Sequence, residues 1–295
     1  MITRDLKPEN RISYSEIKRL LSCSFAHDLS YNERIQVIGH RSDALTRGTL
    51  NHEVMGVYFE ARMNAERSGI SDPHAYGYQQ AAVYLLTREL DEFEEKFRLP
   101  LIDLLNFFYK ANPLPAEHYK IRSFEQDFGI KLMEDYYYVF SPDLVVEHVT
   151  GKLYVVDLKT IYKFYTNDII DLDHQLPSYV WGLRQFGIEV ADAAFLMFRH
   201  GYAKTRSVTA GEVIRLEFLG LSEQRIANVV SQIYTAKQYK VNAAPMRVAN
   251  DLVCNRCELK TLCIETLNGT DVTPLIGTYF EYKEERVMEG VTVNE

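Results

Sequence analysis

Leu153-Tyr-Val-Val-Asp-Leu-Lys-Thr160 is a short stretch in which apolar and β-branched residues lead into two charged side chains. Its composition predicts a strand of a central sheet. Because alternate side chains of a strand share a face, Asp157 and Lys159 point the same way, and Leu158 points to the other face. Charges on a face that looks buried are costly unless they are paired or bind an ion. The stretch therefore predicts a strand that carries a functional site.

A second aspartate lies on the preceding segment, Ser141-Pro-Asp-Leu-Val-Val146, and Thr150-Gly151 predicts a turn between the two. A hairpin through this turn would bring Asp143 and Asp157 to neighbouring strands. Two carboxylates can hold a hard divalent cation, which polarises a phosphate and lowers the pKa of an attacking water. A lysine beside them can orient that water. The pattern indicates phosphodiester hydrolysis. The alternative without a catalytic role is that Asp157 and Lys159 form a surface ion pair, worth roughly 0–1 kcal/mol.

The periodicity of apolar residues on either side of this hairpin predicts the remaining elements. Helices are predicted over 13–22, 49–65, 78–97 (ended by Pro100), 102–110, 173–186 and 222–238, and strands over 121–132, 136–147, 152–160, 194–198 and 213–218. This order predicts an α/β protein with a mixed central sheet flanked by helices and with a helical front. No clear period follows Gly269, so residues 269–295 form a tail to which we assign no structure.

Four further polar residues outside the hairpin are candidates for the same site. His52 lies near a predicted helix start, and Glu125 just precedes the first strand of the hairpin. Gln175 and Tyr179 are four residues apart, which places them on one face of a helix. Each also has a plain structural interpretation: a structural histidine, a solvated glutamate, and a partly buried tyrosine with a satisfied hydroxyl.

The four cysteines are divided between the two ends of the chain. Cys254-x2-Cys257-x5-Cys263 is compact, whereas Cys23 lies far upstream. In a reducing compartment these four cysteines are poor candidates for disulfides and better candidates for metal ligands. Two cysteines separated by two residues suit zinc or an iron–sulfur cluster. The spacing alone leaves zinc, an iron–sulfur cluster and a set of buried free thiols open.

The bulk properties narrow the class of protein. The chain has 295 residues, 46% of them hydrophobic, which is enough for a sizeable core. The first residues lack the pattern of a secretory signal, and no apolar run approaches the ~20 residues of a membrane span, so we expect a cytoplasmic protein. The net charge of −8 counts against a non-specific DNA coat protein. An enzyme remains compatible with it, because a bound cation supplies positive charge where a phosphate sits.

One basic, aromatic-bearing loop is a candidate for DNA contacts. It runs Arg199-His-Gly-Tyr-Ala-Lys204-Thr-Arg206 between two predicted strands and could track phosphates or stack a base. A solvated hairpin is the alternative. The chain has no Gly-x4-Gly-Lys-Ser/Thr phosphate loop, so we do not expect an ATP-driven motor.

Taken in chain order, the polar candidates are His52, Asp143, Asp157-x-Lys159 and Gln175-x3-Tyr179. This set resembles the RecB-like branch of the PD-(D/E)XK nuclease superfamily. With the cysteine frame added, the chain is similar to the iron–sulfur members of that branch, which include CRISPR-associated exonucleases and the nuclease domains of AddB-type helicase–nucleases. The resemblance extends from about residue 13 to residue 265, and it implies a restriction-endonuclease-like core.

The resemblance also implies roles for the candidates at the hairpin. Lys159 would be the catalytic lysine, Gln175 and Tyr179 would position it and the DNA backbone, and Glu125 is a further catalytic candidate. The implied ligands of Mg²⁺ or Mn²⁺ are His52, Asp143, Asp157 and the Leu158 carbonyl.

For the cysteines, the resemblance implies a 4Fe–4S cluster held by Cys23, Cys254, Cys257 and Cys263. Such a cluster would be chiefly structural, because it joins the two chain ends and closes a long loop. The implied organisation is a single nuclease domain over residues 1–268, with a cluster subdomain formed by about 13–30 and 240–268.

The leading functional expectation is a metal-dependent DNA exonuclease that acts on single-stranded DNA or DNA ends. One alternative is an endonuclease or end-trimming subunit of a larger DNA-processing complex, in CRISPR adaptation or recombination. Another is a DNA-binding subunit without activity. The intact set of polar candidates argues against a decayed site. The expected partner is DNA, and a DNA-processing complex or a homo-oligomer is a further expectation.

Overall fold

A computed structural model describes residues 2–39, 42–201, 207–242, 244–248 and 250–294. The chain forms two compact units. The hairpin unit consists of Arg41–Gln126 and Ser141–Ile226, and the cysteine unit consists of Met1–His40, Asp127–Phe140 and Ala227–Glu295.

The helices and strands are numbered in chain order. The helices are α1 (Tyr14–Ser22), α2 (Ser24–His27), α3 (Asp43–Arg67), α4 (Pro73–Thr87), α5 (Glu92–Glu95), α6 (Arg98–Ala111), α7 (Asn167–Asp171), α8 (Gln175–Arg184), α9 (Glu223–Asn242), α10 (Asp251–Cys254) and α11 (Lys260–Leu267). The strands are β1 (Ile2–Leu6), β2 (Arg11–Ser13), β3 (Ile35–Val37), β4 (Tyr119–Phe124), β5 (Phe128–Met133), β6 (Tyr136–Phe140), β7 (Leu144–His148), β8 (Leu153–Ile161), β9 (Val190–Arg199), β10 (Ile214–Phe218), β11 (Phe280–Tyr282) and β12 (Met288–Asn294).

The hairpin unit is built on a five-stranded sheet in the order β10-β9-β8-β7-β4. Strands β8 and β9 are parallel, and the other neighbours are antiparallel, so the sheet is mixed. The turn between β7 and β8 contains Gly151 at φ +82°, a left-handed conformation that glycine adopts without strain. The predicted hairpin and the predicted mixed sheet flanked by helices are confirmed.

Helices cover this sheet on both faces. One apolar cluster joins α3, α4 and α6 to one face of the sheet, which contributes Val156 and Leu158 from β8. Helix α8 packs against β8 and β9, and its Leu176, Val180 and Leu183 are fully buried. The charged residues of β8 therefore belong to a strand that is buried on both sides, where charge must be compensated.

The cysteine unit contains a second five-stranded sheet, in the order β1-β12-β5-β6-β2, and a separate pair, β11-β3. The described residues thus form two mixed five-stranded sheets where the sequence predicts one. A small core of Leu29, Ile35, Leu259, Leu262 and Phe280 joins the N-terminal segment to α11 and β11.

Two predicted strands each divide into two, and the halves belong to different sheets. Residues 121–132 are interrupted at Glu125, which has φ +45°, and residues 136–147 are interrupted between Phe140 and Leu144. Pro142 lies in the second gap, where its missing N–H prevents continuous pairing. Composition predicts extended chain in each case, but it does not reveal which sheet each half joins.

The helical predictions need two corrections. The helix predicted over 78–97 ends at Thr87, and a new short helix, α5, begins after Asp91, which forms a capping box with Glu94. Pro100 does not end a helix: it lies in the first turn of α6, where a proline is tolerated because its missing N–H has no intrahelical partner.

The segment after Gly269 contains two strands, to which the sequence assigns no structure. Strand β11 pairs with β3, and β12 pairs with β1 and β5, so both pair with partners remote in sequence. Among the helices of the described residues, none combines the length and the apolar character needed to cross a membrane.

Candidate active site

The two aspartates of the hairpin face each other across adjacent strands. The Cα partner of Leu144 is Val156, so the same register carries Asp143 opposite Asp157. An oxygen of the Asp143 carboxylate, Oδ2, accepts the backbone N–H of Leu158 at 2.7 Å. Asp157 is only 1% exposed. The hairpin therefore holds two carboxylates together in a largely dry environment.

Burial perturbs both carboxyl groups. It raises the pKa of Asp157 to about 6, against the lowering effect of Lys159 and with a further rise from the charge of Asp143. Burial also raises the pKa of Asp143, and the nearby His52 opposes that rise. Burial opposes the ionisation of both carboxyl groups. A bound cation would favour their ionised forms and so lower both pKa values.

Lys159 is the near neighbour of this pair. Its Nζ lies 2.7 Å from Oδ2 of Asp157, yet this buried oxygen has no hydrogen-bond donor in good alignment. Burial lowers the pKa of Lys159, but the carboxylate of Asp157 outweighs that effect, so the net shift is upward. The lysine is therefore charged at neutral pH and forms a buried ion pair with Asp157.

His52 of α3 contacts both the backbone of β8 and the carboxylate of Asp143. Its Nε2 donates to the carbonyl oxygen of Leu158 at 2.9 Å, and its Nδ1 lies 3.9 Å from Oδ2 of Asp143. Glu125 is adjacent, with Oε1 at 4.0 Å from Nδ1 of His52 and with its N–H donating to the carbonyl of Asp143. Two expectations are corrected: His52 lies within α3 and not near its start, and Glu125 follows β4 in a left-handed conformation.

Helix α8 supplies the remaining predicted residues. Lys159 Nζ donates to Oε1 of Gln175 at 3.4 Å, and Nε2 of Gln175 donates to the hydroxyl of Tyr179 at 2.7 Å. Tyr179 is 7% exposed. The prediction that Gln175 and Tyr179 share a helical face is confirmed. Together the two residues form a chain of hydrogen bonds to Lys159.

Two further side chains at the site were missed by the sequence reasoning. Asp173 accepts the N–H of Leu176 at 2.9 Å; burial raises its pKa, and it interacts with both Asp157 and Lys159. Burial also raises the pKa of Tyr165, which lies beside the same two charges. The signal for Asp173 was its position just before a helix, where a carboxylate caps the free N–H groups.

The chemistry of the donors at the hairpin fits a divalent cation. No group of three or more His, Cys, Asp or Glu side chains within the described ranges is already arranged around a metal position. The oxygen ligands that Mg²⁺ and Mn²⁺ prefer are nonetheless present: the carboxylates of Asp143 and Asp157 and the carbonyl of Leu158. The buried Asp157 oxygen without an aligned donor is the observation that fits such an ion best.

The cysteines lie in the cysteine unit as free thiols. Arg19 of α1 donates to Sγ of Cys257 at 3.7 Å and to Glu258 at 2.9 Å. Sγ of Cys23 lies 4.0 Å from the carbonyl of Met246. These contacts bring the chain around Cys23 to the segments that carry Cys254 and Cys257, although the described thiols do not form a closed set of ligands.

The basic loop is described only in part. Arg199 is the last residue of β9, and its guanidinium lies 5.4 Å from the ring centroid of Phe164. The predicted DNA contacts Lys204 and Arg206 lie outside the described residues.

Comparisons with known proteins identify a family whose model matches most of the chain. The family model of the PD-(D/E)XK nuclease superfamily matches residues 11–264. A solved structure described as "Crystal structure of SSO0001" is similar, with 14% sequence identity over 86% of each chain and a TM-score of 0.37. No curated protein sequence matches the chain significantly. Because the family model spans most of its length, the chain belongs to the PD-(D/E)XK nuclease superfamily.

Proposed function

We propose that the chain is a Mg²⁺- or Mn²⁺-dependent DNA exonuclease that acts on single-stranded DNA or DNA ends. The observation that carries the proposal is the pair Asp143 and Asp157 on adjacent strands, with the Lys159 ammonium 2.7 Å from a buried Asp157 oxygen. Membership of a nuclease superfamily supports hydrolysis of phosphodiester bonds.

His52, Asp143, Asp157 and the carbonyl of Leu158 would hold the divalent cation. When bound, such an ion polarises the scissile phosphate and lowers the pKa of the attacking water. The chain's own contribution is to keep these donors in place. The Leu158 N–H orients the Asp143 carboxylate, and the Leu158 carbonyl accepts from His52 and so orients its imidazole. Glu125, which approaches the same imidazole, is a further candidate at this position.

Lys159 is the residue to which we assign the role of orienting the nucleophilic water and stabilising charge on the phosphoryl oxygens. Asp157 keeps the ammonium group of Lys159 charged. The hydrogen bonds from Lys159 to Gln175 and from Gln175 to Tyr179 restrict the positions that the ammonium group can take. A fixed donor is worth more in the transition state than a mobile one, because no reorganisation is needed at the moment of reaction. Gln175 and Tyr179 are therefore positioning residues, and contacts with the DNA backbone are a second role for them.

We also propose that Cys23, Cys254, Cys257 and Cys263 hold a 4Fe–4S cluster, as in the iron–sulfur members of the RecB-like branch. The donor set is all thiol, which suits iron–sulfur or zinc. The contact of Arg19 with Cys257 and the shared core of Leu29 and Leu262 support an approach of the two chain ends. The proposed cluster subdomain comprises about residues 13–30 and 240–268, within a nuclease domain that extends over 1–268.

The proposed setting is the cytoplasm, with DNA as the partner and a DNA-processing complex or a homo-oligomer as the assembly. Circular DNA separates the proposal from its two alternatives, an end-trimming or endonuclease subunit and a DNA-binding subunit without activity. A strand without ends can be cut only by an endonuclease, so the topology of the substrate separates the three functions.

The experiment is to incubate the purified protein with Mn²⁺ and either linear or circular single-stranded DNA of the same sequence. Degradation of the linear form alone is the expected result. Degradation of both forms would replace the exonuclease with an endonuclease. If both forms stay intact while the protein still binds them, the proposed function is wrong and the binding-only function replaces it.

A further inference from the structure

An exposed tyrosine follows the catalytic strand directly. Tyr162 is the first residue after β8, and 64% of it is exposed. Lys159 lies three residues earlier on the same strand. At about 3.3 Å per residue, the two residues are separated by about 10 Å along the chain. A large aromatic side chain in water at this position has no role in the core of the unit.

The position of Tyr162 is nevertheless well determined by its neighbours. A Cβ added to Gly201 would lie 2.6 and 2.7 Å from Cδ2 and Cε2 of the Tyr162 ring, so the ring rests against a residue that has to be glycine. The ring of His200 meets it edge to face, with centroids 5.8 Å apart. The backbone N–H of His200 donates to the carbonyl of Ile161 at 2.9 Å. One face of the tyrosine is therefore supported, although most of the residue is open to solvent.

Cationic side chains lie on the segments next to this supported ring. Nη1 of Arg47, on α3, lies 2.7 Å from Nδ1 of His200. Lys163 is exposed beside Tyr162. Two guanidinium groups flank the nearby Phe164: that of Arg215 lies 4.2 Å from the ring centroid, and that of Arg199 lies 5.4 Å from it. Nε atoms of both Arg47 and Arg199 are buried without a hydrogen-bond partner. Cations near an open aromatic ring match the phosphates and bases of an unpaired strand.

We propose that Tyr162 is a base-stacking residue that holds an unpaired nucleotide of the DNA strand at the end of β8, an inference that rests on the proposed nuclease function. Every base has a π-face, so a stack of this kind accepts any sequence while it excludes a base that is still paired and stacked in a duplex. The tyrosine would thus contribute to a preference for single strands, and Gly201 and His200 would hold its ring in place for the incoming base.

The test is a binding titration of a short, fluorescently labelled single-stranded DNA in Ca²⁺, followed by anisotropy, for the wild type and for variants at residue 162. Tyr162→Ala should weaken binding by ~5-fold to ~150-fold, the loss expected from removing one base–aromatic stack. Tyr162→Phe should bind within about twofold of the wild type. Tyr162→Leu, which is apolar but has no π-face, should resemble the alanine variant. Equal melting temperatures would show that each variant is folded.

Tyr282, which is 61% exposed on β11, offers the matched control, and Tyr282→Ala should bind as the wild type does. Wild-type affinity in Tyr162→Ala, or equal affinity in the leucine and phenylalanine variants, would overturn the stacking role. Cleavage with Mn²⁺, measured on the same preparations, separates this outcome from a failure of the proposed function. A wild-type protein that binds DNA without cutting it would contradict the proposed nuclease function. The order of affinities among the variants at residue 162 would still test the stacking role of Tyr162.

Discussion

The hairpin of β7 and β8 and the cysteine region present their polar side chains in different ways. In the hairpin, strand register alone carries Asp143 opposite Asp157, and backbone groups of Leu158 hold Asp143 and His52. The cysteines instead come from the end of α1, from the short helix α10 and from segments around α11. Regular structure can pre-organise charged ligands without an ion, whereas ligands on short helices and connections rely on the ion to draw them together.

The largest expected effect is at the pre-organised site. Asp143→Ala and Asp157→Ala should each abolish cleavage, because each removes a carboxylate from the proposed cation site. Neither should unfold the protein, since burial already opposes the ionisation of both groups. Cleavage assays in Mn²⁺ and circular dichroism on the same samples would check both expectations. The exposed Asp171→Asn is the control, and full activity in either alanine variant would show that the cation is held elsewhere.

The cysteine region should respond chiefly in stability. Cys257→Ser should bleach the visible absorption of an anaerobically prepared protein and lower its free energy of unfolding by about 4–5 kcal/mol, the scale of a cross-link that closes a long loop. Iron and sulfide analysis together with urea denaturation would measure both changes. A colourless wild type with stoichiometric zinc would contradict the iron–sulfur assignment and leave the nuclease assignment intact.

Lys159 should affect rate far more than binding. Lys159→Ala should slow single-turnover cleavage by ~10²–10³-fold, because it removes a donor that acts mainly in the transition state. Affinity for single-stranded DNA in Ca²⁺ should change little. Arginine should not rescue the rate, since its planar fork cannot place a compact charge at the same point. Lys152, exposed in the turn of the same hairpin, gives the control. A Lys159→Ala rate within about threefold of wild type would exclude the lysine from the mechanism.

The smallest effect concerns the stability of the metal-free protein. The folded-state pKa of Asp157 is about 6, above its ordinary value of 3.8, so the folded protein resists a deprotonation that the unfolded chain undergoes freely. Stability should therefore fall as pH rises from about 4 to 6 and stay low above pH 6. Asp157→Asn should remove this loss and raise the free energy of unfolding at pH 7 by about 2–3 kcal/mol. Urea denaturation in EDTA at pH 4.5 and pH 7.5 would test this, and a destabilised asparagine variant at pH 7.5 would contradict it.

The same contrast explains how much the sequence could predict. The period-two pattern of β8 and the turn at Gly151 were enough to pair Asp143 with Asp157, and four-residue spacing was enough to pair Gln175 with Tyr179. These are local rules of strands and helices. Asp173 and Tyr165 were missed because only packing shows that they adjoin Lys159.

The cysteine unit was harder to predict for a physical reason. Its sheet joins β1 and β12, which come from opposite ends of the chain, and β5 and β6 are the second and first halves of stretches whose other halves pair elsewhere. Long-range pairing of this kind leaves no periodic signal in a short window. The tail after residue 269 lacked such a signal, although β12 lies within the sheet.

Titration with manganese shows whether the hairpin itself holds a divalent cation. Electron paramagnetic resonance would follow the titration of Mn²⁺ into the wild type and into Asp157→Asn, each without DNA. We expect stoichiometric binding by the wild type and at least about tenfold weaker binding by the variant, a difference of about 1.4 kcal/mol or more. Equal Mn²⁺ affinity in the two proteins would contradict the assignment of the metal site to the β7–β8 hairpin.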